Sequence, residues 1–191
     1  MKFYLQRHAA AESGMQMDPT RKLTDTGKRQ AKMMGKWLAR QDTPRPQILL
    51  QSNFQRSKST AKRMGKQLDL EPITCGWLDP ENDPELVWPR IKALAKEHGA
   101  QSVLAISHGP LVEKLFSFLT SGHAPQYFTF AHGAIAHFDT TEGARGKLCW
   151  LVTPNTVARD EDEMDLVTSD AQKAVEAAVQ AVTLVLEDVI A

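Results

Sequence analysis

Cysteine is scarce in this chain, and long apolar runs are missing from it. The two cysteines, Cys75 and Cys149, lie far apart and match no metal-binding or redox spacing. We expect free thiols, with a structural disulfide as the alternative. No apolar run approaches the roughly 20 residues that a membrane-spanning helix needs, and the N-terminus carries neither the apolar core nor the cleavage site of a signal peptide. We therefore expect a cytoplasmic protein that does not bind membranes.

The chain also has no formal net charge, because 23 Lys and Arg residues balance 23 Asp and Glu residues. The balance hides a split, since residues 1–70 hold 15 basic and 5 acidic residues, whereas residues 71–191 hold 8 basic and 18 acidic ones. Such asymmetry predicts either a basic surface with an anionic partner or one half of the chain neutralising the other. Nucleic acid is not the expected partner, because no basic motif interleaved with aromatic residues occurs.

Strand-like and helix-like segments alternate along the chain. Apolar runs predict strands at 2–6, 47–51, 71–74 and 102–107, and a β-hairpin at 134–139 and 147–152. Helical periodicity and capping residues predict helices at about 25–41, 56–68 and 84–98, and another that starts at Pro110. This order is typical of an α/β fold in three layers, α/β/α, in which a mostly parallel sheet carries helices on both faces and ends in a C-terminal β-hairpin.

Three of the predicted strands end in polar residues. These ends carry Arg7-His8, the segment Ser52–Arg56 and Ser107-His108. Ligands of open parallel sheets bind beyond the carboxyl ends of the strands, so we expect two histidines and two arginines to meet at one rim. Guanidinium groups match phosphate oxygens, and an imidazole can attack phosphorus when one ring nitrogen is unprotonated and the other is held by a hydrogen bond. The pattern predicts a phosphoryl-transfer site that requires no metal.

Four motifs at these positions resemble the histidine phosphatase superfamily, which is phosphoglycerate mutase-like, and within it the SixA-like phosphohistidine phosphatases. They are Arg7-His8-Ala9, Arg21-Lys22-Leu23-Thr24-Asp25-Thr26-Gly27, Ser52-Asn53-Phe54-Gln55-Arg56-Ser57 and Ser107-His108-Gly109-Pro110. The resemblance covers about residues 2–152. It implies that His8 is phosphorylated during catalysis. It also implies that Arg7, Arg56 and His108 bind the phosphoryl oxygens, with Arg21 as a further phosphate or substrate contact. Asn53 stands where the family usually has Pro, and Ser57 where it usually has Ala.

The general acid is open at this stage. Many superfamily members place a Glu about two dozen residues after the second arginine, and here that stretch holds Asp79, Glu81 and Asp83. The run also resembles the SixA-type segment, in which a dedicated acid is often absent, and Asp83 is equally suited to cap the following helix. An alkoxide must be protonated as it leaves. The imidazole of a phosphohistidine can already carry its proton near neutral pH, since free His titrates near ~6.5. Lack of an acid would therefore favour phosphohistidine over phosphoester substrates.

The sequence thus predicts a metal-independent phosphatase without a cofactor, acting on the phosphohistidine of a protein such as a phosphotransfer domain. A phosphatase for small phosphomonoesters and a non-catalytic phospho-binding regulatory module are the alternatives. His98, His123, His132 and His137 lie outside any motif, and we assign them no function.

Lysines recur at four-residue spacing on the first two helices. They are Lys28, Lys32 and Lys36 on the first helix and Lys58, Lys62 and Lys66 on the second. This basic face is either a solvated surface or a docking surface, whose partner would be an acidic phosphoprotein or the chain's own segment Asp160-Glu161-Asp162-Glu163.

The last part of the chain extends beyond the resemblance. We expect a catalytic domain at residues 1–152, followed at 153–191 by an acidic segment and a C-terminal helix. That helix begins with a capping box at Ser169 and carries an apolar stripe from Ala171 to Val189. The stripe suits packing on its own domain or a dimer contact, so monomer and homodimer both stay open.

Overall fold

The computed structural model describes residues 1–120, 128–141 and 146–160. The strands are β1 (Lys2–Arg7), β2 (Ile48–Gln51), β3 (Pro72–Thr74), β4 (Ser102–Ser107), β5 (Ile135–Asp139) and β6 (Lys147–Val152). The helices are α1 (Asp25–Arg40), α2 (Gln55–Leu68), α3 (Pro84–Glu97), α4 (Leu111–Thr120) and α5 (Pro154–Asp160), and a 3₁₀ turn covers Gly76–Leu78. No helix within the described ranges is long and apolar enough to cross a bilayer.

The strands form one six-stranded sheet in the order β3-β2-β4-β1-β5-β6. The first four are mutually parallel, whereas β5 runs antiparallel to both β1 and β6. The predicted α/β fold is therefore confirmed, with the C-terminal hairpin as an antiparallel extension at one edge. Because β1 lies between β4 and β5, the first strand of the chain is at the centre of the sheet.

Helices cover both faces of this sheet. Along β1, Phe3 and Leu5 pack with α3 and α4, whereas Tyr4 packs with α1, α2 and α5. This division follows from the alternation of side chains along a strand, and all three side chains are completely buried. The sandwich of helix, sheet and helix is thus set by the apolar pattern of each strand.

The start of α1 fixes a loop beside the end of β1. Thr24 caps the helix, since its hydroxyl oxygen accepts a hydrogen bond of 3.0 Å from the backbone N–H of Gly27. A Cβ on Gly27 would lie only 1.9 Å from the carbonyl oxygen of Ala10. Glycine is therefore required for α1 to pack closely against the residues that follow His8.

Helix α5 lies beyond the expected domain boundary at residue 152. It packs against α1, and Val157 and Ala158 are completely buried there. The described fold therefore continues to α5. The division at 152 stays a prediction, and the predicted C-terminal helix lies outside the described residues. The helix predicted to start at Pro110 begins one residue later, at Leu111.

Candidate active site

The ends of β1 and β4 bring the two motif histidines together. The strands are parallel neighbours in which Arg7 pairs with Ser107, so His8 and His108 follow directly at the same rim. Their ring centroids are 5.0 Å apart. Strand β2 is the next neighbour of β4, and the segment after it delivers Arg56, whose Nε lies 3.1 Å from His8 Nε2. The parallel order of the strands thus produces the predicted convergence.

The hydrogen bonds of His8 determine which of its ring nitrogens is unprotonated. A guanidinium N–H can only donate, so Nε2 of His8 must accept from Arg56. Nδ1 then carries the proton and donates to the carbonyl oxygen of Ala9 at 2.8 Å. Burial holds the pKa of His8 well below its ordinary value of 6.5, and neighbouring His108 lowers it further. The ring is therefore neutral, and Nε2 carries an unprotonated lone pair, which accepts the hydrogen bond from Arg56.

Arg56 is a buried cation that ties a loop to the site. Its Nη1 donates to the carbonyl oxygen of Asp18 and its Nη2 to that of Gln16, both at 2.7 Å, and it lies 4.7 Å from the Phe54 ring centroid. Burial lowers its pKa to about 10, so it stays charged at neutral pH. Three of its five N–H donors are used by protein atoms, which leaves two for an anion.

Arg7 and Arg21 reach the same site from the rim and from the following loop. Arg7 donates from Nη1 to the carbonyl oxygen of Phe130, and its buried Nε has no partner among the described residues. Burial lowers its pKa, and Glu113 opposes that shift. Arg21 is held by the Glu12 carbonyl oxygen at 2.7 Å. Unpaired donors beside permanent charge are what a phosphoryl group needs.

An open cavity of about 620 Å³ lies in front of these groups. Its lining includes Arg7, His8, Arg21 and Arg56, together with Gln16, Glu113 and His132. His108 is completely buried behind them and does not line the cavity surface. Of the four central residues, three therefore face the cavity, and His108 is in contact with the site through His8.

Ser52 controls the orientation of His108. The Ser52 hydroxyl forms a short hydrogen bond with His108 Nε2 and also accepts from the backbone N–H of Phe54 at 3.3 Å. Burial and the cations Arg56, Arg7 and Arg21 lower the pKa of His108 to about 3, so the ring is neutral and has a single N–H. If Ser52 donates to Nε2, its hydroxyl proton is used and the proton of His108 sits on Nδ1. That Nδ1 is buried without a partner among the described residues.

The two departures from the family pattern have structural roles. Asn53 is bound by Asp79, which accepts from the Asn53 backbone N–H at 2.9 Å and from its side-chain amide at 3.2 Å. The Ser57 hydroxyl accepts from the Ser52 backbone N–H at 3.1 Å and donates to the Ile106 carbonyl oxygen at 2.9 Å. A proline at 53 would lack that N–H. Both residues therefore hold the segment after β2 in place.

The three candidates for the general acid lie away from the cavity surface. Asp79 is engaged with Asn53, and Asp83 caps α3 by accepting from the Glu85 backbone N–H at 2.9 Å. Glu81 is exposed to solvent, and none of the three lines the cavity. Their role as a general acid stays a prediction.

The structure adds two titratable residues that the sequence reasoning missed. The ring centroid of His132 lies 5.3 Å from that of His8, and burial lowers the pKa of His132 to about 4. Glu113 accepts from the Phe130 backbone N–H at 3.0 Å, while its other carboxylate oxygen is buried without a partner in the described part. His132 reaches the site because β5 pairs antiparallel with β1 and places the start of β5 beside the end of β1. The one sequence signal for His132 is the glycine that follows it. Gly133 adopts a φ of 79°, which favours glycine, and its N–H donates to the Arg7 and His8 carbonyl oxygens.

No group of three or more His, Cys, Asp or Glu residues that could hold a metal ion occurs within residues 1–120, 128–141 and 146–160. The positive charge around the cavity comes from the guanidinium groups of Arg7, Arg21 and Arg56 and from the ammonium group of Lys114.

Comparison with known proteins identifies relatives of this arrangement. Residues 3–79 match the family model of the histidine phosphatase superfamily, branch 1. Phosphohistidine phosphatase SixA of Escherichia coli (strain K12) is 33% identical over 156 residues, which are 81% of this chain and 94% of that protein. The structure of the protein histidine phosphatase SixA complexed with tungstate has a TM-score of 0.71 at 33% identity, covering 81% of this chain and 97% of that one. A phosphoserine phosphatase from Entamoeba histolytica, 14% identical, shares the fold with a TM-score of 0.66 over 81% of this chain and 98% of its own.

Proposed function

Because this chain belongs to the histidine phosphatase superfamily and is SixA-like, we propose that it hydrolyses phosphohistidine in a protein through a covalent phosphoenzyme on His8. One observation carries the proposal. The Nε2 of His8 is unprotonated and hydrogen-bonded to Arg56, while Nδ1 is held by the carbonyl oxygen of Ala9. An imidazole attacks phosphorus through such an unprotonated nitrogen, and the Arg56 N–H that bonds it here would move to a phosphoryl oxygen as substrate binds.

The reaction takes two displacements at phosphorus. In the first, the lone pair of His8 Nε2 forms an N–P bond as the bond from phosphorus to the leaving group breaks. In the second, water attacks the phosphoenzyme, the N–P bond breaks, and the electron pair returns to Nε2 with inorganic phosphate as the product. The transition states are loose, so positioning and stabilisation of charge supply most of the catalysis. The guanidiniums of Arg7 and Arg56, which line the cavity, are the donors that we assign to the phosphoryl oxygens. We add His108, whose Nδ1 has no partner among the described residues; it is buried behind His8, so it contacts a phosphoryl oxygen only after the groups in front of it shift.

The substrate class follows from the leaving group. The described acidic residues after β3 lie away from the cavity, and a protonated phosphohistidine can leave as a neutral imidazole without an external acid. The relative SixA carries the name of a phosphohistidine phosphatase. Both facts support phosphohistidine. The site needs no metal for charge stabilisation, and activity should survive removal of divalent cations by a chelator.

A second candidate is a phosphomonoester phosphatase. It is favoured by Glu113, a carboxyl group in the cavity wall with one unpartnered oxygen, which could protonate a departing alkoxide. The substrate would then be a small phosphoester.

Three experiments separate these proposals. Rapid quenching of the enzyme with a phosphohistidine protein should trap an acid-labile phosphoenzyme, and the His8→Ala variant should lose it. A stoichiometric complex without turnover in the unaltered protein would instead indicate a binding module. The kcat/KM for a phosphohistidine protein should then exceed that for sugar and aryl phosphates, and the reverse order would favour the phosphoester candidate. Glu113→Gln should reduce only ester turnover if Glu113 is the acid.

A further inference from the structure

A basic groove runs between α1 and α2 on the surface of the protein. Six of the nine residues that line it are cationic and none is acidic: Lys28, Arg29, Lys32, Lys62, Arg63 and Lys66. Its volume is about 630 Å³. We call these residues the basic groove. Both helices begin near the catalytic rim, since the Thr24 N–H at the start of α1 donates to the Ala10 carbonyl oxygen and α2 begins four residues after β2 ends.

The cations of the basic groove are only weakly neutralised within the described residues. Lys28 forms an ion pair with Asp25 at 2.7 Å, and both side chains are largely exposed. Exposed pairs of this kind contribute about 0–1 kcal/mol. Lys32, Lys62 and Lys66 are exposed and have no ion pair with any described residue. Like charges at four-residue spacing repel each other, so an anionic segment bound between them would reduce this electrostatic repulsion.

Helices α1 and α2 pack closely at the floor of the basic groove. A Cβ on Gly35 would lie 2.9 Å from Cγ of Gln67 and 3.3 Å from Cα of Met64, so α1 and α2 are in close contact below the cations. The groove therefore has a fixed floor and a fixed array of charges on which an occupant can dock.

We propose that residues 161–191 of the same chain dock on the basic groove through the acidic cluster Glu161, Asp162, Glu163 and Asp165. Residues 161–191 hold 8 acidic residues and 1 basic one, whereas residues 1–160 hold 15 acidic and 22 basic ones. The two parts thus carry −7 and +7, which explains how a chain with a strongly basic face has zero net charge. The relative SixA matches 81% of this chain, so about a fifth of the chain lies outside that match.

The path of the chain makes this docking possible. Helix α5 ends at Asp160 and packs on α1, the helix that forms one wall of the basic groove. The groove lies on the other side of α1, roughly one helix diameter of about 10–12 Å away. The acidic cluster lies within five residues of Asp160, and five extended residues span about 17 Å, so its carboxylates can pass one helix diameter and reach the groove from the α1 side. A tethered segment acts at an effective concentration of roughly millimolar, which favours it over a free partner at micromolar concentration.

Docking of the segment would shield the basic groove from acidic protein surfaces. If the proposed function holds, a phosphoprotein that approaches the catalytic rim would have to displace the segment, whereas a small phosphate compound would not. This consequence rests on the proposed function, but the docking itself does not.

Carbodiimide cross-linking of the full-length protein, followed by peptide mapping, tests the docking without measuring activity. We expect intramolecular links from residues 161–165 to Lys32, Lys62 or Lys66, and we expect them to fade at about 0.5 M salt, where the Debye length falls to about 4 Å. Lys92 and Lys96 are the matched control, since they are exposed on α3 on the opposite face of the sheet. Equal linking to the control lysines, links only between chains, or none at all would overturn the proposal.

A kinetic experiment tests the consequence. In the full-length variant with Glu161→Gln, Asp162→Asn, Glu163→Gln and Asp165→Asn, the KM for an acidic phosphohistidine protein should fall several-fold. The kcat, and the turnover of a small aryl phosphate, should stay unchanged. The expected cross-links with an unchanged KM would retain the docking and overturn the shielding. Loss of all turnover in the unaltered protein would refute the proposed function and leave the cross-linking result valid.

Discussion

Replacement of Ser52 by alanine should impair catalysis through His108, although Ser52 does not line the cavity. The variant removes the hydroxyl that bonds His108 Nε2 and accepts from the Phe54 N–H. Each buried polar group left without a partner costs about 1–3 kcal/mol. His108 is neutral because burial and nearby cations lower its pKa to about 3. If Ser52 donates to Nε2, the single proton of His108 sits on Nδ1 and can move to Nε2 once the hydroxyl is gone.

Nδ1 would then carry a lone pair in place of the N–H that we propose as a donor to the phosphoryl group. Loss of about 1.4–2.8 kcal/mol of transition-state stabilisation corresponds to a decrease in kcat/KM of roughly 10- to 100-fold. Turnover of a phosphohistidine protein measures this decrease, and the ¹⁵N shifts of His108 report which ring nitrogen is protonated.

Ser107→Ala is the matched control, because Ser107 is a buried serine next to His108 whose hydroxyl donates to the Leu78 carbonyl oxygen at 2.6 Å. It should lower the melting temperature without moving the proton of His108. A kcat/KM for Ser52→Ala within two-fold of the unaltered protein, with Nδ1 of His108 still protonated, would refute the reasoning.

Three further predictions concern stability and the acidic loop. Unfolded histidine titrates near ~6.5, whereas burial lowers the folded pKa of His108 to about 3 and those of His132 and His137 to about 4. The unfolded chain thus binds more protons below pH 6.5. As the pH is lowered from 6.5 towards 4, urea titrations should show the free energy of unfolding falling by up to about 1.4 kcal/mol per pH unit for each group. A pH-independent value between 6.5 and 4 would contradict the burial of these rings. His137→Phe should flatten that slope and raise stability by about 1–3 kcal/mol, because both buried ring nitrogens of His137 lack partners among the described residues while the ring stacks on Tyr4 at 4.4 Å; a lower melting temperature would speak against it. Glu81→Gln should leave kcat for a phosphohistidine protein within about two-fold, since the side chain is solvated; abolished turnover would identify it as the acid.

The strand ends show which parts of the candidate site local sequence patterns can predict. Apolar runs that stop at Arg7-His8 and Ser107-His108 are visible in the sequence, because a buried strand needs continuous apolar residues and its end does not. The rule that parallel strands present ligands at one rim then placed these residues near each other. The distance of 3.1 Å between Arg56 and His8, and the protonation that it imposes, depend on the order β2-β4-β1.

His132 and Glu113 mark the limit of that reasoning. Both lie in the wall of the cavity, yet neither belongs to a motif at the end of a parallel strand. His132 is placed by antiparallel pairing of β5 with β1, and Glu113 by the first turn of α4. Pairing between segments more than a hundred residues apart leaves no periodic signal in either segment, so sequence alone could not select His132 from the other histidines.

The sequence by itself determined most of the elements, the α/β class and the candidate phosphate-binding groups, because hydrophobic periodicity, capping and side-chain charge are local properties. The tertiary structure decided which ring nitrogen of His8 is unprotonated, why Ser52 matters, and that Asp79 supports Asn53 away from the cavity surface. These depend on donor and acceptor atoms that meet only after distant segments have packed, and on burial, which sets the pKa of each histidine.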